Sequence, residues 1–533
     1  MLIDPRVDRR DRRDDPEAWT ARSTRGVVAC AHYHAAEIGA SLLAAGGSAA
    51  DAAVGAALAL NVCEPAASGI GGMAMIVGAG FGGGEPFFLD GACTAPEAAT
   101  AELVRQSHRY RGHRAVAVPG APAALAALHQ RFGRLDLREV AAPAVALARQ
   151  GHRLTAMQQQ LGVTYRSAVR RGNATHLIEG PDASPWEIGD LIRQPALADT
   201  IERLGRDGLM SFYRGEMAAA IDADMRAHDG FLSAADLDRV QPPEPQAPIE
   251  VAFGSRRLFT SGPPAGGINL ARLAQMTTAL GWLPDPRRAR HLGLIGAMIQ
   301  RTRQDRRRHR LTIGARDVHL AGELLELRSA ELAVADLLRT HGPETGETSH
   351  LCAMDADGGV VSMTVSIERS FGSARMHPEL GFLYNGYLRG FKVENQRHPH
   401  YLRPGVPARS NAAPTILLDP SGDAIAIGST GSERMTSGIF TTLLRLERET
   451  PFEAVAAPRI HCTPEGRMLA EIDRLPETSR RHLRNLFRVT PADPWAFSFG
   501  GLQLAVRRGG EFLGVGEPRR DGGAAGPEGA GPS

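Results

Sequence analysis

Apolar and polar positions along the chain change period from block to block. Residues 26–65, "GVVACAHYHAAEIGASLLAAGGSAADAAVGAALALNVCEP", begin as a short apolar strand and continue as two alanine-rich helices. Gly46-Gly47 separates the helices, and Ser48 is placed to cap the second. "SGIGGMAMIVGAGFGGGEPFFLDG" is apolar and punctuated by glycine, which suits two strands of a central sheet around a tight turn. From about 115 to 235 helical spacing dominates, as in "PGAPAALAALHQRFG" and "LREVAAPAVALARQG", each closed by glycine. Strands return at "PIEVAFGSRRLFTSG", and a further helical block runs to about 340. Beyond 348 the pattern is strand again, in "SHLCAMD", "VVSMTVSI", "PTILLD" and "AIAIGS". No short repeat recurs. Strands and helices, then helices, then strands predict an α+β protein in layers with the sheets inside.

The ends read differently. Residues 1–24 and the tail 517–533, "EPRRDGGAAGPEGAGPS", are polar and rich in Gly, Pro and charge, so both are expected to be disordered. The whole chain of 533 residues, with 43% hydrophobic and 23% charged content, can bury one large core or two. A net charge of +2 is too balanced to point to nucleic acid or a membrane surface. No run of about 18 apolar residues exists, and no apolar stretch follows the charged N-terminus as in a signal peptide. Five scattered cysteines without metal-ligand spacing fit a reduced, cytoplasmic protein, and the "HPH" of 398–400 reads as ordinary loop. Neither a metal nor a cofactor is implied. Lys392 is the only lysine, which leaves little room for lysine chemistry.

The candidate chemistry lies at 342–373, "GPETGETSHLCAMDADGGVVSMTVSIERSFGS". A Gly/Pro/Glu-rich run stops at Glu347, and "DADGG" then turns one strand back on the next. Pairing about Asp357 sets Met354 opposite Val360 and Thr348 opposite Ser366, so the two hydroxyls face each other at cross-strand distance. Ser362, Thr364 and Ser366 share that face, while Val361, Met363, Val365 and Ile367 take the other. Such a hydroxyl row is equally the pattern of a solvated sheet edge. If the chain is cut before Thr348, however, the threonine carries its own base. An α-amino group of pKa about 7.7–8.0 can take the proton from Oγ, and the alkoxide can attack an acyl carbonyl. "GSTGSER", 428–434, follows an apolar strand and can offer oxyanion donors at Gly431 and Ser432, although such a turn is also a common loop.

From Gly26 to about Gly523 the chain resembles the γ-glutamyltranspeptidase family of N-terminal nucleophile hydrolases. The resemblance rests on the first block above with "AASGIGG", then "LDGACTAPEAA", "AVAVPGAPAAL", "SFYRGEMAAAI" and "FTSGPPAGGI". The hairpin stretch, "NAAPTILL" and "GSTGSE" complete the set, in order. It implies a four-layer αββα sandwich, made as one precursor that cuts itself into a large subunit (25–347) and a small subunit (348–516). It further implies Thr348 as processing and catalytic nucleophile and Ser366 as its hydrogen-bonded partner. Gly431 and Ser432 match the oxyanion-hole pair, and Ser410 and Asn411 match a substrate-contacting Ser-Ser pair.

Where the chain departs from the family, the substrate is put in question. Ala92 stands where the family has the arginine that holds the γ-glutamyl α-carboxylate, and Gly390 where an aspartate holds the α-ammonium. A substrate-binding asparagine becomes Glu368, and the acidic neighbour of the lost aspartate becomes Arg389. Losing both buried ion-pair partners costs about 2–5 kcal/mol each, with Arg409 and Arg369 as the nearby guanidinium groups able to substitute. The segment from Phe391 to Arg409 is shorter than in members with a lid loop, which implies a more open pocket. The expected activity is therefore hydrolysis or acyl transfer on a carboxylate-bearing small molecule other than γ-glutamyl, with Arg389 and Arg409 facing the carboxylate and Glu368 an amine. Family precedents include cephalosporin and glutaryl acylases, oxamate hydrolysis, and C–C cleavage beside a keto acid in antibiotic biosynthesis. The alternatives are a conventional γ-glutamyltransferase and an uncut binding homologue.

Overall fold

The computed structural model describes residues 4–106, 111–309, 348–398 and 400–527. Two antiparallel sheets lie face to face. One has seven strands in the order Thr20–Ser23, Glu511–Val515, Leu502–Arg508, Ala424–Ser429, Thr415–Leu418, Arg256–Thr260, Ile249–Phe253. The other has six, in the order Gly523–Ala525, Gly26–Cys30, Ser349–Asp355, Val360–Ser366, Met73–Ala79, Phe87–Gly91. Three apolar clusters fill three interlayer spaces. Val27, Met75, Met354, Ile416 and Ala426 are packed between the sheets. Val28, Ile76 and Val361 lie against the helices Tyr33–Ala44, Ala49–Cys63 and Ala121–Phe132. Leu258, Ile427 and Leu504 lie against Gly267–Leu280, Ala289–His309 and Met435–Arg445. Helix, sheet, sheet, helix is the expected four-layer α+β sandwich.

Local readings hold where spacing was regular. Ser48 caps its helix in a reciprocal pair with Asp51. Met73–Ala79 pairs antiparallel with Phe87–Gly91. At the turn, Gly358 has φ +102°, and the buried Asp355 carboxylate accepts from the N–H groups of Asp357 (3.0 Å), Gly359 (2.8 Å) and, on the helical side, Ala49 (2.8 Å). One side chain thus ties the turn to the start of a helix.

Both tails correct the sequence reading. In the N-terminal one, Trp19 is buried and Thr20–Ser23 forms an edge strand. Arg9 is buried too, donating to the carbonyls of Ala18 (2.8 Å) and Gly522 (2.6 Å). In the C-terminal one, Gly523–Ala525 forms an edge strand of the other sheet. Glu517 and Arg519 are buried as well, Arg519 pairing with Glu517 (2.8 Å) and Glu471 (2.5 Å), and Arg459 with Glu517 (2.8 Å). Composition counts such residues as solvated, whereas here the charges neutralise one another out of water. Residues 1–3 and 528–533 lie outside the described residues, as does Glu347.

Candidate active site

The hairpin has the register read from its sequence: Met354 pairs with Val360, and the ladder runs to Ser349 opposite Val365. Thr348 begins where the next pair would fall, and its Oγ1 donates to Ser366 Oγ at 3.3 Å. The hydroxyl row is not a solvated edge. Ser362, Thr364 and Ser366 are buried, and they face the seven-stranded sheet. Ser362 Oγ donates to the Ile427 carbonyl (3.1 Å) and accepts from the Thr415 N–H (2.9 Å). His350 donates or accepts at Thr364 Oγ1 (2.9 Å), and burial holds its imidazole down to about 3, hence neutral.

These contacts align the ends of the strands. Ser362 meets Ile427, and His350, nearer Thr348, meets Gly428. The chain leaving Ala424–Ser429 therefore runs towards the nucleophile end, carrying Gly431 and Ser432 with it. Both adopt left-handed backbone, with φ +98° and +58°, and Ser432 leads through one 3-10 turn into the helix Met435–Arg445. Amide groups at such a helix start are oriented for negative charge. The turn is buttressed by the 500–501 loop: Thr430 N–H donates to the Gly501 carbonyl (2.9 Å), and Gly501 N–H to Thr430 Oγ1 (2.7 Å).

Ser410 and Asn411 lie just before the strand Thr415–Leu418, whose first residue pairs with Ile427. They are fixed by Arg306, which donates to Asn411 Oδ1 (3.3 Å) and the Ser410 carbonyl (3.4 Å). Arg409 lies near His400, whose imidazole is pushed down by burial and then by Arg409 and Arg306.

Glu368 and Arg389, read from sequence as addressing different ends of a substrate, are instead joined to each other at 2.9 Å. Burial raises the Glu368 carboxyl, and Arg389, Arg369 and Arg111 all pull it the other way. Glu368 has φ +82°, and its N–H donates to Ser366 Oγ (3.0 Å). One hydroxyl thus receives both Thr348 and the Glu368 backbone. Gly390 ends the turn Tyr387–Gly390 with open space where a side chain would project. Ala92 lines a cavity of about 400 Å³ with Asp90, Thr94, Arg239 and Pro404.

Two residues escaped the sequence reading. Tyr387 is buried, and its hydroxyl shares a hydrogen bond with Ser366. Ser349, beside the nucleophile, donates to the buried Glu64 carboxylate at the end of the Ala49–Cys63 helix. No local motif flags either, since both act across the fold.

A family model described as Gamma-glutamyltranspeptidase matches residues 35–527. The chain belongs to this family. It is an enzyme of the N-terminal nucleophile hydrolase type. Among relatives of this γ-glutamyltranspeptidase-family protein, the glutathione hydrolase proenzyme of Pseudomonas aeruginosa is 29% identical, over 83% of this chain and 84% of that protein. The acylase ACY 1 proenzyme of Pseudomonas sp. (strain V22) is 28% identical, over 87% and 86%. The crystal structure of cephalosporin acylase from Bacillus halodurans superposes with a TM-score of 0.84 at 25% identity, covering 95% of this chain and 96% of that one.

Proposed function

We propose that the chain is cut before Thr348 and that Thr348 then acts as nucleophile of an acylase for a carboxylate-bearing substrate other than γ-glutamyl. The observation that carries the first half is the buried 3.3 Å contact of Thr348 with Ser366 at the start of a strand. The freed α-amino group takes the Oγ1 proton as Oγ1 adds to the acyl carbonyl. The N–H groups of Gly431 and Ser432 receive the oxyanion, and the leaving amine departs with the proton. Water, activated by the same amine, then releases the acid from the threonyl ester. Ser366 orients Oγ1, held in turn by the Glu368 N–H and Tyr387.

The substrate half rests on charge. Three arginines surround the single carboxylate of Glu368, which is already engaged by one of them. The excess of guanidinium groups over carboxylate here favours an anionic group. A biosynthetic, cytoplasmic setting agrees with five cysteines that are all buried and unbridged. Among the described residues no helix is long and apolar enough to cross a membrane.

The second reading, a conventional glutathione hydrolase, is favoured by the likeness to the Pseudomonas aeruginosa protein. Glutaryl-p-nitroanilide and γ-glutamyl-p-nitroanilide differ only in the α-ammonium, so they separate the two. The proposal requires kcat/KM for the glutaryl compound to exceed that for γ-glutamyl by at least about tenfold, the worth of one modest ionic contact. A preference for γ-glutamyl would establish the conventional activity.

A further inference from the structure

We propose that the cavity between residues 6–19 and 493–521 binds a small oxyanion, of the phosphate or carboxylate kind, through Arg9, Arg13 and Arg520. The cavity measures about 220 Å³ and also reaches the start of the helix Ala156–Arg170. None of the residues assigned to the candidate active site lines it. It is smaller than the roughly 300–1,000 Å³ that drug-sized ligands fill, which suits a compact anion.

Its charge is one-sided. Six arginines and three aspartates line it, and the aspartates leave an excess of positive charge. Asp8 is held by Arg10 at 2.8 Å. Asp521 accepts from Thr155 Oγ1 at 2.5 Å, and burial pushes its carboxyl up to about 6. Asp493 is exposed to solvent. Two of the arginines are neutralised, Arg6 by Asp4 and Glu37 and Arg519 by Glu517 and Glu471. Arg9 and Arg13 are not. Arg9 donates to the carbonyls of Ala18 (2.8 Å) and Gly522 (2.6 Å), and Arg13 Nε to that of Pro518 (3.2 Å). Among the described residues neither has a carboxylate within ion-pair distance. Arg9 is only 8% exposed, and burial pulls its pKa down to about 10. Arg13 is shifted the same way by burial, then by Arg10 and Arg519. An anion placed between these groups offsets both effects.

Aromatic rings fix the guanidinium planes. Arg9 Cζ lies 3.9 Å from the centre of the Trp19 ring, and Arg520 Cζ 4.1 Å from that of Phe497. Both rings line the cavity, as does Trp495, which carries Arg474 at 3.4 Å. A stacked guanidinium keeps its in-plane N–H groups for hydrogen bonds, the geometry in which arginine grips carboxylate or phosphate. Two of the five N–H groups of Arg9 go to carbonyls. Arg520 is buried and donates through Nη2 to the Phe497 carbonyl at 3.4 Å.

Residues 6–19 precede Thr348 and residues 493–521 follow it. A bound anion thus bridges the two segments that a cut before Thr348 would separate. Binding itself requires no cut, so the site is independent of the activity proposed above.

The test is calorimetric titration of the full chain with inorganic phosphate and with malonate, each against sodium chloride of equal ionic strength. One equivalent of at least one of the two anions is expected to bind saturably and to raise the midpoint of thermal unfolding. Binding of phosphate alone would assign the site to phosphorylated ligands, and binding of malonate alone to dicarboxylates. Arg9→Gln and Arg13→Gln should each weaken binding by at least about tenfold, the loss of one charge-assisted contact. Arg13 is only half-buried and lies in a turn, so its substitution leaves the fold intact and decides the matter if Arg9→Gln does not fold. The proposal is overturned if neither anion binds above the chloride control, or if Arg13→Gln binds as tightly as wild type.

Discussion

The His350 imidazole presses on Gly428 so closely that a β-carbon there would stand 2.1 Å from its ring. This contact joins the two sheets two residue pairs away from the Thr348–Ser366 contact. Gly428→Ala should therefore destabilise the protein by about 1–3 kcal/mol, the usual cost of overpacking. Urea denaturation measures it, and the penalty should shrink when His350→Ala is made in the same chain. Equal penalties in both backgrounds would show that the ring is not what the methyl meets.

His350 also sets a pH dependence. In the unfolded chain its pKa is 6.5, and in the fold burial lowers it to about 3. Between these values the unfolded state binds the extra proton, so stability is complete above pH 6.5 and falls as pH drops. The contribution is about 1.4 kcal/mol per pH unit. In His350→Gln the slope of unfolding free energy between pH 6 and 4 should be shallower by that amount. An unchanged slope would mean the imidazole is protonated in place.

Thr348→Ala should remain one chain and show no acylase activity, whereas wild type should resolve by intact mass into pieces meeting at Thr348. Ser366→Ala should cut and fold but lose roughly 5- to 100-fold in kcat, the worth of one buried hydrogen bond to the nucleophile. KM should change little, and Ser366→Thr should restore the rate. A normal rate in Ser366→Ala would remove Ser366 from the site.

Ser432 holds a left-handed conformation at φ +58°, which costs a side chain about 1–2 kcal/mol. Ser432→Gly should thus raise stability by about 1 kcal/mol without loss of activity, since only its N–H is used. If the rate fell instead, the serine hydroxyl would be taking part.

Open space at Gly390 admits a carboxylate, and the cavity beside Ala92 admits a guanidinium. The double variant Ala92→Arg/Gly390→Asp should gain activity on γ-glutamyl-p-nitroanilide, read as kcat/KM against wild type. No gain would shift attention from these two positions to the Glu368–Arg389 pair.

The hairpin and its hydroxyl row were legible because strand alternation and a glycine turn leave one register that buries the apolar face. What remained open was whether Ser362 and Thr364 faced water, since that depends on the opposing Ile427 and Thr415, distant in sequence. The same limit explains the tails: Arg519 looks solvated until Glu471 is brought beside it. It also explains Glu368 and Arg389, whose separate charges were visible but whose pairing was not.

Ser349–Asp355 and Val360–Ser366 lie between Gly26–Cys30 and Met73–Ala79 in one sheet. A break before Thr348 would therefore leave the folded object unchanged in shape while altering its thermodynamics. Unfolding of the intact chain yields one molecule, but unfolding of the cut chain yields two. Its midpoint would then rise with protein concentration, and recovery after denaturation would need the two pieces to meet again. Maturation would make folding a one-time event.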